Sequence, residues 1–159
     1  MPPVTFKNLD ALNDFVGREV ATTDWFEITQ DRIRQFAEAT EDRQWIHLDP
    51  DRAQRESPYA ATIAHGFLTL SLLSYLSKQA FQIQDGVGMI VNYGLNRVRF
   101  PAPVHSASKI RARFTLQSLK DIGNTREAVF SVVVEGQGKE GQPQAKPGCV
   151  AEWVVRYYP

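Results

Sequence analysis

The chain has 159 residues, a mass of 18.0 kDa and equal numbers of acidic and basic side chains, 18 of each. This length fits one domain, residues 1–159, and the zero net charge disfavours nucleic acid as the main partner, because phosphate binding requires a positive excess. The single cysteine, Cys149, excludes an intrachain disulfide and a cysteine-based zinc site and suits a cytoplasmic location. No secretory signal is visible, and the longest apolar stretch, Phe67 to Leu76, is too short to span a bilayer.

The first half of the chain is predicted to be mainly helical. Residues 19–28 are the exception, because they are rich in strand-forming side chains. The helical segments are residues 5–17, 30–40, 50–56 and 67–81. The last of these is apolar around most of its circumference, which predicts a central helix buried on most sides.

The second half of the chain is predicted to form strands. Residues 109–117 alternate polar and apolar side chains, as in a half-buried strand of an antiparallel sheet. Further strands are predicted at residues 92–104, 126–135 and 149–158, with a long hairpin loop at 136–148. The fold class is therefore α+β, with an antiparallel sheet of about five strands around the central helix. One sheet of this size leaves a face of the helix uncovered, which predicts an oligomer interface.

Two polar residues follow the helix predicted over residues 30–40. Asp42 and His47 are five residues apart in a segment that breaks the helical pattern. If this segment folds back as a loop, the carboxylate and the imidazole face one site and can bind a water between them, with Asp42 as base and His47 as proton relay. Alternatively, Asp42 caps the next turn and His47 is an ordinary core or surface histidine.

The start of the central helix offers a second candidate. The backbone N–H of Gly66, at the helix N-terminus, can donate to a carbonyl that becomes an oxyanion. Alternatively, Gly66 serves only the turn into the helix, and His65 is a local hydrogen-bonding residue. Ser74, two turns further along, can hold the Asp42 side chain or bond to the carbonyl of Leu70 within its own helix.

Other chemistries have little support in the sequence. Arg97 and Arg99 lie two apart on one strand face, where they can meet an anionic ligand or simply face solvent. There is no serine-hydrolase nucleophile elbow and no phosphate-binding glycine loop. Cys149 fits a buried, inert thiol, and three scattered histidines do not make a metal site.

Together, three blocks of sequence resemble the MaoC-like dehydratase family, which includes the (R)-specific enoyl-CoA hydratases, and most of all its nodulation protein N-like branch. Asp42 and His47 match the aspartate and histidine of the family's hydratase motif at the same spacing. The three blocks are Asp42 to Pro50, Ala64 to Thr69 and Asn92 to Val104. The departures are Glu41 for the motif glycine, Gln44 for the asparagine and Trp45 for the proline, and the Gln-Trp pair is typical of that branch.

The resemblance implies a hotdog fold, a homodimer and the reversible addition of water to a trans-2-enoyl thioester, giving a (3R)-hydroxyacyl thioester. It implies no cofactor and no metal, since coenzyme A or acyl carrier protein carries the substrate. It assigns catalysis to Asp42 and His47, with the Gly66 N–H polarising the thioester carbonyl and Ser74 orienting Asp42. Arg97 or Arg99 is expected to bind coenzyme A phosphates, and Asn92, in the third block, is expected to contact substrate.

Two other functions remain open. Hotdog proteins also include acyl-CoA thioesterases, although these use a different carboxylate arrangement. A non-catalytic acyl-thioester binding protein is the second alternative. Both are less favoured because the two proton-handling residues, Asp42 and His47, are present.

Overall fold

The computed structural model describes residues 1–138 and 141–159, and these residues form the expected α+β fold. The strands are β1 (Val4–Phe6), β2 (Glu19–Thr22), β3 (Phe26–Ile28), β4 (Phe81–Ile83), β5 (Met89–Arg99), β6 (Ser108–Ile122), β7 (Thr125–Gly136) and β8 (Cys149–Tyr158). The helices are α1 (Leu9–Asn13), α2 (Gln30–Thr40), α3 (Trp45–Leu48), α4 (Pro50–Glu56), α5 (Gly66–Ser71) and α6 (Leu73–Ala80). No helix among the described residues combines the length and apolar character needed to cross a membrane.

The main sheet is antiparallel, with the strand order β2-β6-β7-β8-β5, and β3 pairs with β6 beyond β2. The expected strand at residues 19–28 is thus two short strands. The chain leaves β6 between them because the Thr23 hydroxyl oxygen accepts the Ala112 N–H, where a ladder bond would otherwise continue. Strands β1 and β4 form a separate parallel pair. The hairpin loop expected at 136–148 joins β7 to β8, and its residues 139–140 lie outside the described part.

The predicted central helix consists of α5 and α6, which are separated only at Leu72. The Leu72 N–H is shared between the carbonyls of Leu68 and Thr69. The second of these bonds is of the 3₁₀ type, so the helix is wound more tightly over this short segment. Leu68, Leu72, Leu73 and Leu76 bury one face of this helix pair in the core of the sheet. The opposite side is open: Phe67 is 68% exposed. The helix pair is therefore buried on one side only in this chain, so the prediction of burial on most sides is wrong for a single chain. The face that one sheet was expected to leave uncovered is exposed.

Aromatic side chains from the sheet complete the core. The rings of Phe81, Phe114, Phe130 and Trp153 pack against one another with centroid separations between 5.5 and 6.4 Å. Cys149 is buried in the same core, and burial raises the pKa of its thiol to about 11. The thiol is therefore protonated at neutral pH, in keeping with its expected inert role.

Candidate active site

The site forms where the chain turns sharply after α2. Helix α2 ends at Thr40, and Glu41 adopts a left-handed backbone with φ of 63° before α3 begins. This turn folds the segment back as the sequence suggested. One carboxylate oxygen of Asp42 and one ring nitrogen from each of His47 and His65 lie within 4.8 Å of one another. The structure thus brings Asp42 and His47 together and adds His65 to the pair.

His47 is held in one orientation and one tautomer. Its Nδ1 lies 2.6 Å from the carbonyl oxygen of Ile63. Because a carbonyl only accepts, Nδ1 carries the hydrogen and Nε2 keeps a lone pair. The backbone carbonyl of His47 accepts a hydrogen bond of 2.7 Å from Gln30 Nε2, which ties α3 to α2. The result is a fixed imidazole whose Nε2 can accept a proton.

His65 supports both of the other residues. Its Nε2 donates to the backbone carbonyl of Asp42 at 2.9 Å, and its ring stacks on that of His47 with centroids 3.7 Å apart. The ring is 3% exposed, and Phe36 packs against it with a centroid separation of 5.0 Å. His65 therefore fixes the backbone at Asp42 and the plane of His47. Its Nδ1 has no hydrogen-bond partner among residues 1–138 and 141–159.

The surroundings keep His47 neutral. Burial lowers the pKa of His47, and this effect outweighs the hydrogen bond to the Ile63 carbonyl, which by itself raises it. The neighbouring His65 lowers the pKa further, and the Asp42 carboxylate has a smaller raising effect. Since the ordinary value for histidine is about 6.5, His47 is unprotonated at pH 7. It can therefore take part in proton transfer as an acceptor.

The same three side chains carry metal-binding atom types, but their arrangement does not suit an ion. The rings of His47 and His65 are inclined by only 22° and are stacked face to face. Imidazole lone pairs lie in the ring plane, so stacked rings direct them side by side and do not make them converge on one point. The geometry fits proton transfer better than metal binding.

Gly66 opens α5 directly after His65. Its backbone N–H has no carbonyl partner among the described residues and is free to donate. A Cβ at this position would lie 3.0 Å from ring carbons of Phe100. A side chain at position 66 would therefore require the Phe100 ring to shift by a few tenths of an ångström. Gly66 and Phe100 line a cavity of about 230 Å³ that also borders Ile63, the hydrogen-bond partner of His47.

With this geometry established, comparisons with known proteins identify the family. The sequence profile described as "MaoC like domain" matches residues 12–137. The chain belongs to the MaoC-like family. It is 47% identical over 154 residues to 3-hydroxyacyl-thioester dehydratase Z of Mycobacterium tuberculosis, which covers 96% of this chain and 97% of that protein. It is 38% identical over 148 residues to Nodulation protein N of Rhizobium meliloti, covering 93% and 89%.

Solved structures agree on the fold. An (R)-hydratase from A. caviae superposes with a TM-score of 0.65 at 23% identity, covering 91% of this chain and 96% of that one. At this identity the likeness concerns the fold alone. The hotdog fold that the resemblance implied is therefore confirmed.

Glu41 adopts a left-handed backbone at the position where the MaoC-like motif has glycine. A left-handed conformation costs a residue with a Cβ about 1–2 kcal/mol, and glycine adopts it freely. Glu41→Gly should therefore raise the free energy of unfolding by about 0.5–1 kcal/mol, after the larger chain entropy of glycine is subtracted.

Chemical denaturation measures this change, and Glu38→Gly is a matched control. Both glutamates pair with Arg43, but Glu38 lies inside α2, where glycine should lower stability by about 1 kcal/mol. A loss of stability in both variants would show that the Arg43 pairs, rather than the backbone of Glu41, dominate.

Ser74 does not reach Asp42, contrary to the expected contact. Its Oγ lies 3.1 Å from Nδ2 of Asn92 on β5, and Trp153 Nε1 donates to Asn92 Oδ1 at 3.1 Å. The physical reason is the direction of the helix face: position 74 points at β5, whereas the Asp42 turn lies at the opposite end of α5. The expected role of Ser74 as a positioning residue for Asp42 is corrected accordingly. Asn92, which was expected to contact substrate, lines two cavities beside α6.

The two arginines of the MaoC-like chain occupy different surroundings. Arg97 lies beside Glu152 on the outward face of the sheet, away from α5 and α6. Arg99 is exposed, donates to the carbonyl of Val98 at 2.7 Å and directly precedes Phe100, the ring that contacts Gly66. Arg99 is nearer along the chain to Gly66, but it is two residues from Arg97 with no bulge between them and therefore shares the outward face of the strand.

Proposed function

We propose that this protein is an (R)-specific enoyl-thioester hydratase that catalyses the reversible addition of water to trans-2-enoyl thioesters. The observation that carries the proposal is the convergence of the Asp42 carboxylate with a neutral, oriented His47 beside the free N–H of Gly66. An acid–base pair next to a hydrogen-bond donor for a carbonyl is what this reaction needs. The chain's 47% identity to a protein named 3-hydroxyacyl-thioester dehydratase Z supports it.

In this mechanism, the Asp42 carboxylate and His47 Nε2 hold one water. As the water oxygen bonds to C3 of the substrate, its proton passes to Asp42, and the electron pair of the double bond moves towards C2 and the thioester oxygen. The Gly66 N–H donates to that oxygen, where negative charge accumulates. His47 then relays the proton from Asp42 to C2, so that one water has been added across the bond.

His65 acts in this mechanism as a positioning residue. Its Nε2–H holds the carbonyl of Asp42, so removing the donor frees the turn that carries the base. His65→Phe keeps a flat ring in the stack but cannot donate, whereas His65→Gln keeps a donor. We expect kcat to fall by about tenfold or more in the phenylalanine variant, the equivalent of one hydrogen bond to the backbone, and to be largely retained in the glutamine variant.

Steady-state kinetics with crotonyl-CoA measures both variants, and thermal melts establish that both are folded. Rescue by glutamine distinguishes hydrogen bonding from simple filling of the core. Equal losses of kcat in the two variants, or full activity of the phenylalanine variant, would contradict the positioning role.

Coenzyme A or acyl carrier protein is the proposed carrier of the substrate. Arg99 is exposed and lies closer along the strand to the Gly66 end of the site than Arg97, so it is the arginine proposed to meet a carrier phosphate at the outer face of β5. Arg97 is disfavoured by its position next to Glu152 on the outward face.

No further cofactor is part of the proposal. The buried thiol of Cys149 is compatible with a cytoplasmic location.

The proposal includes a homodimer. Strand β5 is at the edge of the main sheet and is exposed along almost its whole length. Its exposed apolar side chains include Met89, Ile90, Tyr93 and Leu95. An exposed apolar edge strand of eleven residues is a template for pairing with another chain, and a second copy would cover it. Sedimentation should give twice the 18.0 kDa of one chain; a monomer would contradict this part of the proposal.

The reaction class is tested with crotonyl-CoA and the wild-type protein. Hydration removes the absorbance of the conjugated enoyl thioester without releasing thiol. Thiol release with retention of the double bond would identify a thioesterase. Binding without either change would identify a non-catalytic acyl-thioester binding protein.

A further inference from the structure

Hydroxyl groups in the helices of this chain commonly donate to a carbonyl of their own helix. Thr40 Oγ1 donates to the Phe36 carbonyl at 2.7 Å, and Ser71 Oγ donates to the Phe67 carbonyl at 2.5 Å. This arrangement is usual, because the hydroxyl of a helical serine or threonine reaches the carbonyl three or four residues earlier. Thr69 on α5 is different, since its hydroxyl forms no hydrogen bond with a described residue.

The Thr69 side chain is nevertheless almost completely buried, with 1% of its surface exposed. Unlike Nδ1 of His65, which has no partner and is sealed from solvent, Thr69 Oγ1 keeps a small accessible surface. Thr69 lines the cavity of about 230 Å³ beside Gly66, and the hydroxyl opens into it. A buried hydroxyl without a partner destabilises a protein, so this one is suited to a polar atom of a ligand.

Apolar side chains surround Thr69 in this cavity. They come from the segments before α5 and after β5 and are Ile63, Ala64, Phe100, Pro101, Pro103 and Val104. The other hydroxyl at the cavity belongs to Tyr59, which is 41% exposed and can bond to water. The cavity shares no lining residue with the cavities beside α6 and β5. A water takes about 30 Å³ in the liquid, so this volume is large enough for a thioester group.

Gly66 and Thr69 offer two hydrogen-bond donors on one side of α5. Positions three apart on a helix are neighbours, about 5–6 Å from each other. A helical side chain leans towards the helix N-terminus, so Thr69 lies over the turn that Gly66 begins. One oxygen held about 2.7–3.1 Å from each of two donors can bridge a separation of up to about 6 Å. The Thr69 hydroxyl and the free Gly66 N–H can therefore donate to the same oxygen atom.

We propose that the Thr69 hydroxyl is a second hydrogen-bond donor to the thioester oxygen, beside the Gly66 N–H, and hence a further catalytic residue. As water bonds to C3, negative charge moves onto this oxygen and both hydrogen bonds strengthen. The burial of Thr69 keeps bulk water away from the oxygen, which increases the stabilisation that each donor supplies. This inference rests on the proposed function, because it places the thioester at Gly66.

Removing the hydroxyl while keeping the shape of the side chain tests this role in turnover. Thr69→Val is expected to lower kcat with crotonyl-CoA by about 10²–10³-fold, the usual effect of losing one such donor. KM should change by less than about threefold, since the donor acts mainly in the transition state. Thr69→Ser keeps the hydroxyl and should stay within about fivefold of wild type, the equivalent of one buried methyl group.

Ser71→Ala is the matched control for these variants. Ser71 is on the same helix, but it is exposed and its hydroxyl already bonds to the Phe67 carbonyl. Both kcat and KM should be unchanged.

The carbonyl stretching frequency of bound butyryl-CoA reports on the same contact without turnover. Butyryl-CoA is saturated and cannot be hydrated, and carbon-13 at its thioester carbon identifies the band in infrared difference spectra. A hydrogen bond to the carbonyl oxygen weakens the double bond and lowers the frequency. We therefore expect a higher frequency in Thr69→Val than in wild type, with Thr69→Ser and Ser71→Ala matching wild type.

The outcomes separate this proposal from the proposed function. The same frequency in wild type and Thr69→Val, or wild-type kcat in a folded Thr69→Val, would overturn the role of Thr69. Equal losses of kcat in the valine and serine variants would assign the effect to packing and would also overturn it. If Thr69→Val does not fold, Thr69→Ala removes the hydroxyl and is compared in the same way. A wild type that does not hydrate crotonyl-CoA, together with the expected frequency change, would refute the proposed function and leave the Thr69 contact standing.

Discussion

Replacing Asp42 by asparagine is expected to lower kcat for the hydration of crotonyl-CoA by about 10²–10⁴-fold, the usual contribution of a general base. The amide is nearly the same size as the carboxylate but cannot accept the proton of the attacking water. The backbone carbonyl of residue 42 still accepts the hydrogen bond from His65, so the turn keeps its shape. Loss of activity in a folded protein therefore reports on the proton acceptor itself.

Asp51→Asn is the matched control for this variant. Asp51 lies in the first turn of α4, is exposed and makes no side-chain hydrogen bond in the described part of the chain. It should retain wild-type turnover. If Asp42→Asn is folded and also retains near wild-type turnover, Asp42 is not the base and the mechanism is wrong.

Replacing His47 by glutamine is expected to have an effect of similar size, about 10²–10⁴-fold on kcat/KM. Glutamine can occupy the pocket and donate to the Ile63 carbonyl, but it has no nitrogen that accepts a proton near neutral pH. His105→Gln is the matched control, because the ring of His105 is in neither the stack nor the cluster with Asp42. It should leave kcat/KM unchanged.

The pH dependence of kcat/KM is expected to identify His47 as the titrating group. Burial lowers the pKa of His47, so the imidazole stays neutral and competent down to below about pH 6.5. Wild-type kcat/KM should therefore be constant near pH 7 and fall as the pH drops through this lowered pKa, because protonated His47 can no longer accept a proton. In His47→Gln this acid limb, which lies below about pH 6.5 in the wild type, should be absent. An unchanged limb in the variant would assign the titration to another residue.

Local sequence signals predicted much of the fold. The helices at 30–40 and 50–56 begin and end where their caps and breaking residues indicated. The alternation at 109–117 correctly predicted a strand, although β6 extends further in both directions. Strand order follows from tertiary pairing, so no local sequence signal indicated that β5 occupies the edge of the sheet.

The candidate site was predictable only in part. Asp42 and His47 are close in sequence, and a chain reversal was enough to suggest that they meet. The contact of His65 with the carbonyl of Asp42 spans 23 residues, so its supporting role depends on how α5 packs against the turn. The only signal in the sequence was a histidine immediately before the helix start. Ser74 was misassigned because its partner depends on which strand faces the helix, and that strand is β5.

The most direct test of the central claim is the fate of crotonyl-CoA incubated with the wild-type protein in heavy-oxygen water. Mass spectrometry and chiral analysis of the product report on bond formation, configuration and thioester integrity together. We predict (3R)-3-hydroxybutyryl-CoA with one heavy oxygen on C3 and an intact thioester. Free crotonate with heavy oxygen in its carboxylate, a racemic or (3S) product, or unreacted crotonyl-CoA would contradict an (R)-specific hydratase built on Asp42 and His47.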